Sequence, residues 1–584
     1  MSNLLRLLKL FTPYLLWLVL LVLFVWGQAT VNLTLPDFTS KIVNEGILLN
    51  DLDSIWSNGF LMLLITSLGG LCAIGVGFLA SKISAGYVRR LREKVFEKIE
   101  SFSLGEFDQF STSSLVTRST NDMQQVQTVM SMFLRIAFLA PFMGIGSIIK
   151  AYNINVAMSQ IVFVTVGIIT ILVVILFIVV VPKFTMIQKN VDKLSQQMRE
   201  MLTGVRVVRA YNNDKMHQDK FDITNKTSVS LNIFVNRVVM MMQPVMTLIM
   251  GLTSMAVVWV GAYKIEDRSL MVGDLLALMQ YVMQTVMAFL MISAIFILIP
   301  RLAVSLKRIG EILSTKPKIV DPSNLDSKKA KHLARASVVF KNVSFGYNDS
   351  EQPILSDISF EAKFGEMTAI IGGTGSGKSS ILKLITRLYD VTGGSILIGN
   401  RDIRDMSQKQ LRDLIGYVPQ KAFLFTGTIK SNLLYGNRTA SDKDITDAIK
   451  LAQAKEFIDK LPDGINSTVS QAGGNFSGGQ KQRLSIARAL IKKPSIYLFD
   501  DSFSALDYKT DAKLRKALKG NIKNSVFLIV AQRVSTIMKA AKIIVLDDGK
   551  IAGIGTHKEL LKNCSVYKEI AESQLSQAEL GVEL

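Results

Sequence analysis

Apolar residues crowd into long runs in the first half of the chain and are spread more thinly through the second. Runs near 14–35, 56–82, 133–153, 157–181, 238–263 and 273–303 each approach or exceed the ~20 residues a helix needs to cross a bilayer. Six membrane helices are therefore predicted, the third and fourth parted only by a polar turn at Tyr152, Asn153, Ile154 and Asn155. From residue 337 short strands, such as 337–340 and 367–371, alternate with helical stretches in the manner of a soluble α/β domain. Lys316, Pro317, Pro322, Ser323, Asn324, Lys328 and Lys329 mark a turn-rich linker between the halves. The expected layout is an all-α membrane domain over 1–315, a linker over 316–336, a soluble α/β domain over 337–574 and a tail over 575–584.

Charge orients this layout. The formal net charge is +20, and much of the excess lies in two long segments between membrane runs. One carries Arg89, Arg90, Arg92, Lys94 and Lys98; the other carries Lys183, Lys189, Lys193, Arg199, Arg206 and Arg209. The loop after the first run is acidic, with Glu45, Asp51 and Asp53. Basic loops stay in the cytoplasm, so both termini and the second half are expected in the cytosol, with the helices in the lipid bilayer of the cytoplasmic membrane. The same rule accounts for the charge without a nucleic-acid partner. Arg6 and Lys9 before an apolar stretch, with Gly27, Gln28 and Ala29 after it, resemble a secretory signal. The stretch continues through Val31 and Leu35, however, and reads as the first membrane helix. Two cysteines, Cys72 and Cys564, form neither a disulfide nor a metal framework.

The chemistry lies in the second half. Gly372, Gly373, Thr374, Gly375, Ser376, Gly377, Lys378 and Ser379 follow an apolar strand and open a helix at Ser380, as a P-loop must. Glycines let backbone N–H groups curl round phosphate oxygens, and the helix N-terminus adds partial positive charge. Lys378 is expected on the β- and γ-phosphates of ATP, and the Ser379 hydroxyl on Mg²⁺.

Asn475, Phe476, Ser477, Gly478, Gly479, Gln480, Lys481, Gln482 and Arg483 resemble the signature peptide of ATP-binding cassette (ABC) proteins, with Phe476 where Leu is commonest. The surrounding order resembles that family too. Tyr347 stands at the adenine-stacking position, and Tyr417, Val418, Pro419 and Gln420 at the Q-loop. Ser495, Ile496, Tyr497, Leu498, Phe499, Asp500 and Asp501 stand at Walker B, and Ser504, Ala505, Leu506 and Asp507 at the D-loop. Residues 114–122, and 204–211 with Phe221, resemble the two coupling segments of ABC exporters. Six helices and one cassette is the half-transporter layout. The resemblance implies that Gln420 and Asp500 join Ser379 around Mg²⁺, Asp500 through water. It also implies that each ATP is held between one chain's P-loop and the other chain's signature.

Two positions depart from the family. Asp501 stands where Glu polarises the attacking water, and Gln532, between Ala531 and Arg533, stands where the switch His is usual. Asp is one methylene shorter, and ~1 Å of misplacement can cost roughly a hundredfold in rate. Gln can donate a neutral hydrogen bond to the γ-phosphate but has no titratable ring. Both departures fall in the site built on this chain's own P-loop, while Ser477, Gly478, Gly479 and Gln480 serve the opposite site. The pattern resembles the degenerate-site subunit of heterodimeric bacterial multidrug exporters, so a second half-transporter is expected as partner. Gln471 is a further departure, standing where exporters usually have Glu.

Substrate is less legible. Met279, Met283, Met287 and Met291 recur every fourth residue in the sixth run beside Gln280 and Gln284, and Met240, Met241, Met242, Met246 and Met250 crowd the fifth. Methionine suits promiscuous apolar pockets, but the same residues read first as lipid-facing or interhelical filler, and the pattern names no substrate. The resemblance to multidrug exporters implies small amphipathic drugs as cargo, with lipid or peptide export and an ATP-gated channel as alternatives. No peptidase domain precedes the first helix, which argues against a leader-cleaving peptide exporter.

Overall fold

The computed structural model describes residues 10–322, 337–347, 352–522 and 524–575. Arg6, Lys9, most of the expected linker (323–336) and nearly all of the expected tail (576–584) lie outside the described residues. By contact the chain divides into two compact units. One runs through Glu100 and resumes over Thr112–Thr315; the other is Ser101–Ser111 with the chain from Lys316 onward.

The first unit is built on six long helices: Leu15–Lys41, Leu52–Glu100, Asn121–Ile154, Val156–Thr203, Asp214–Glu266 and Val272–Ser314. All six membrane-length apolar stretches fall on helices. The helices outrun the apolar runs, so the basic segments expected as loops are largely helical. Hydropathy marks where lipid begins and ends, whereas Lys, Arg, Glu and Gln carry a nucleated helix onward at little cost. The polar turn at 152–155 narrows to one extended residue. Asn155 (φ −158°, ψ 121°) breaks the helix, and its side-chain oxygen accepts the N–H groups of Ala157 (3.0 Å) and Met158 (3.2 Å) to cap the next one.

The first, second, third and sixth helices pack on one another, and the fourth pairs with the fifth. Polar side chains tie the first group together. Asp37 accepts the Tyr281 hydroxyl at 2.5 Å and pairs with Lys150 at 2.5 Å, which joins helices one, six and three. Gln284 Nε2 donates to the Asn32 carbonyl at 2.8 Å and Gln280 Nε2 to Thr39 at 3.4 Å, so this glutamine strip faces helix one. Of the methionines, Met246 is buried, while Met240, Met241, Met283 and Met287 are exposed. The segments expected to couple form the short helices Thr112–Ser119 and Val205–Ala210, and Arg118 of the former pairs with Glu311 at 2.8 Å.

The second unit carries a six-stranded sheet in the order Lys550–Gly555, Lys542–Asp547, Met367–Gly372, Val526–Val530, Ile496–Asp500, Ile415–Val418. The last five strands run parallel, and Lys550–Gly555 is an antiparallel edge. Ile496–Asp500 and Val526–Val530 are buried at every position, as strands covered on both faces must be. A four-stranded antiparallel sheet, Leu355–Ala362, Val338–Phe345, Gly393–Ile398, Arg401–Asp402, completes the unit. Ser101–Ser111, read from the sequence as part of the membrane half, belongs to this second unit. Its helix Leu104–Phe110 is held there by Glu106, which accepts the Lys318 N–H at 3.2 Å, and by Asp108, which accepts the Tyr389 hydroxyl at 2.6 Å.

Candidate nucleotide site

Strand register assembles the site. Val530 is level with Ile370 on one side and with Asp500 on the other, and Val418 is level with Phe499. The residues that follow these strands therefore emerge together at the carboxyl edge of a parallel sheet, where α/β folds bind ligands. They are the P-loop after Met367–Gly372, Gln532 after Val526–Val530, Asp500 and Asp501 at the end of Ile496–Asp500, and Gln420 after Ile415–Val418.

The P-loop backbone is committed to its turn. Gly375 and Gly377 hold φ of +85° and +90°, a region open to glycine but strained for other residues. A Cβ added at Gly373 or Gly375 would meet nothing within 4 Å, so the mouth of the loop is open. Helix Lys378–Ile385 follows, with its free N–H groups toward that mouth. Lys378 Nζ lies inside the loop and donates to the Gly372 carbonyl at 2.9 Å and to the Gly373 carbonyl. Burial pushes the Lys378 ammonium pKa down, opposed by the negative charges of Asp501 and Asp500. Ser379 Oγ donates to Asp500 Oδ1 at 2.7 Å, and the Tyr417 hydroxyl donates to Asp500 Oδ2 at 3.4 Å. Burial raises the Asp500 carboxyl pKa against both of these bonds. A hydroxyl beside a carboxylate offers the hard oxygens that Mg²⁺ takes.

Asp501 is where the site is most constrained. Its φ is +44°, its backbone N–H donates to the Val530 carbonyl at 2.9 Å, and the residue is buried. Gln532 Nε2 donates to its Oδ2 at 3.0 Å and Gln420 Nε2 to the same oxygen at 3.3 Å. Tyr347 has its hydroxyl 3.0 Å from Ser380 Oγ and accepts from Lys383 Nζ at 3.3 Å, with the Tyr389 ring edge-on at 5.0 Å.

The signature residues stand apart from this cluster. Ser477 caps helix Gly478–Leu490 in a reciprocal box: Gln480 N–H donates to Ser477 Oγ at 3.3 Å, and Ser477 N–H donates to Gln480 Oε1 at 2.9 Å. Phe476 is buried edge-on to Phe457, which accounts for an aromatic where Leu is usual. Asp507 caps helix Tyr508–Ile522 by accepting the Thr510 N–H at 2.9 Å. Gln471 opens a short turn in which Ala472 has φ +52°. Sequence reading missed Gln574, which bonds the backbone at Gln532 and Val534, and Asp108 on Tyr389. Neither carries a motif; a lone amide and a lone carboxylate reveal their partners only once the chain is folded.

A P-loop with a carboxylate at the next strand but one and a separate capped glycine helix defines a cassette ATPase. The sequence descriptions "ABC transporter transmembrane region" and "ABC transporter" match residues 16–289 and 355–504. An uncharacterized ABC transporter ATP-binding protein of Mycobacterium tuberculosis is 38% identical over 97% of this chain and 98% of its own length. The ABC transporter ATP-binding protein YfiB of Bacillus subtilis is 37% identical over 97% of each. Among solved structures, a bacterial Atm1-family ABC exporter with ATP bound superposes with a TM-score of 0.82 at 25% identity, covering 97% of this chain and all of that one. The chain belongs to the ABC transporter family, as an exporter half-transporter that joins a membrane domain to an ATPase domain.

Proposed function

We propose that this chain is one half of a heterodimeric exporter of amphipathic drugs or other hydrophobic compounds in the cytoplasmic membrane. Its termini and ATPase domain lie in the cytosol. Its own ATP site holds nucleotide and hydrolyses it weakly, while Ser477, Gly478, Gly479 and Gln480 complete the competent site on the partner's P-loop. The observation that carries this reading is the 3.0 Å bond from Gln532 to Asp501. Gln420 adds a second donor to the same oxygen, so two amides hold the Asp501 carboxylate in place, one methylene short of a Glu's reach toward an attacking water.

Lys378 and the open P-loop mouth suit the phosphates of ATP, the Gln532 amide can donate a neutral hydrogen bond to the γ-phosphate, and Tyr347 suits the adenine. Ser379 and Asp500 would hold Mg²⁺, with Gln420 beside them. When bound, the metal would supply charge neutralisation on the phosphates; Asp500 and Ser379 would hold it, and Asp501 stays bound to its two amides. Exposed Met240, Met241, Met283 and Met287 support an adaptable apolar cargo surface.

The test is co-expression with a half-transporter carrying Asp-Glu at Walker B and His at the switch. Changing that partner's Glu to Gln should remove most ATP turnover, while Asp501→Asn should change it by no more than about twofold. Equal losses from the two changes would refute the division of labour.

A further inference from the structure

The loop that carries Gln532 is gripped from the far end of the described chain. Gln574 Nε2 donates to the Gln532 carbonyl at 2.9 Å, and Gln574 Oε1 accepts the Val534 N–H at 2.9 Å. Arg533 between them is extended (φ −98°, ψ 124°). One primary amide thus bonds the carbonyl of one residue and the N–H two residues on, as a residue of a neighbouring parallel strand would.

The amide projects from a fixed base. In helix Ser565–Glu572, Tyr567 and Ala571 are fully buried, and the Tyr567 hydroxyl lies 2.7 Å from His557 Nδ1. The Ala571 carbonyl accepts the N–H groups of Gln574 (3.1 Å) and Leu575 (2.9 Å), and Leu575 packs on the core. From the other flank Arg515 Nη1 donates to the Ser535 carbonyl at 2.9 Å, while its Nε bonds Asp511 at 3.0 Å. Residues 532–535 are therefore held on both sides.

We infer that Gln574 is a positioning residue for ATP recognition: by fixing the backbone at Gln532 and Val534, it sets where the Gln532 amide stands between Asp501 and the γ-phosphate of ATP on this chain's P-loop. Gln574 itself touches no nucleotide. The inference rests on the proposed role of Gln532 at the γ-phosphate and adds how that role is enforced.

The test measures equilibrium binding of ATP and of ADP, with Mg²⁺, to the full chain in lipid nanodiscs. The variants are Gln574→Ala, Gln574→Glu, Gln532→Ala and the Gln532→Ala/Gln574→Ala double. Gln574→Ala should weaken ATP about tenfold, the equivalent of two modest hydrogen bonds, and leave ADP unchanged. Gln574→Glu keeps the acceptor for Val534 but sets a second acceptor against the Gln532 carbonyl, and should lose as much. In the Gln532→Ala background, Gln574→Ala should change nothing further. Parallel weakening of ATP and ADP, no change at all, or an effect that persists without the Gln532 side chain would overturn the inference. If Gln532→Ala lowers the ATP-to-ADP preference and Gln574→Ala does not, only the role of Gln574 fails. If Gln532→Ala leaves the preference intact, the proposed role of Gln532 falls as well.

Discussion

Gln532 Nε2 donates to Asp501 Oδ2 at 3.0 Å, so the residues at the expected switch and catalytic-carboxylate positions are bonded to each other. Register places them together: Val530 is level with Asp500, and both side chains leave the sheet one or two residues later. Removing the Asp501 carboxylate takes the acceptor from the Gln532 amide, and removing Gln532 leaves Oδ2 with Gln420 alone.

That pairing predicts strong coupling in hydrolysis. Asp501→Glu alone pushes a methylene toward the amides of Gln532 and Gln420, and Gln532→His alone faces a carboxylate that stops short. Each single change should raise phosphate release only slightly, and the double change by about a hundredfold. Two independent, additive gains would show that the bond has no bearing on turnover.

Tyr347 offers a separable test of nucleotide binding. Tyr347→Leu removes the ring and should weaken ATP by about tenfold, within the ~1–3 kcal/mol of a base–aromatic stack. Tyr347→Phe loses only the hydroxyl contacts to Ser380 and Lys383 and should change affinity less. Tripolyphosphate binding should be insensitive to both, and its loss in Tyr347→Leu would mean that the loop, not the ring, had been damaged.

In the membrane unit, Lys150→Met leaves Asp37 with only the Tyr281 hydroxyl and the surrounding side chains. A charge stripped of its partner costs more than a pair that was never built. Thermal unfolding in detergent should show Lys150→Met destabilised, and Asp37→Asn/Lys150→Met recovering part of the loss. A double variant as unstable as the sum of its singles would argue that the pair is not coupled.

His557 sets a pH dependence for the ATPase unit. Burial lowers its pKa below the ordinary value of 6.5, and its Nδ1 lies 2.7 Å from the Tyr567 hydroxyl. The unfolded chain then binds the proton more readily. Stability is full above about pH 6.5 and falls as pH drops from there through the lower folded value. His557→Gln should flatten the fall in thermal midpoint across that window; an unchanged slope would assign the acid sensitivity to other groups.

Most of the site was legible in sequence because it is made of contiguous peptides. The run 372–379, the signature at 477–480 and Walker B each carry their geometry in local residue types, since a phosphate loop needs glycines and a capped helix needs its Ser and Gln. The six membrane helices were legible for the same reason, although hydropathy could not mark their ends. What escaped was long-range pairing. Nothing local to Asp108 points to Tyr389, far along the chain, and nothing local to Gln574 points to the loop at 532–534. The bond between Asp501 and Gln532 depends on strand register, which the motifs do not state.

The most direct measurement of the central claim is ATP turnover by the purified full chain on its own, alongside the nucleotide it retains after rapid desalting. ATP should be retained as triphosphate, and steady phosphate release should be slower than in a paired, Glu- and His-containing exporter by about a hundredfold or more. Rapid, sustained turnover by this chain alone, abolished by Asp501→Asn, would contradict it.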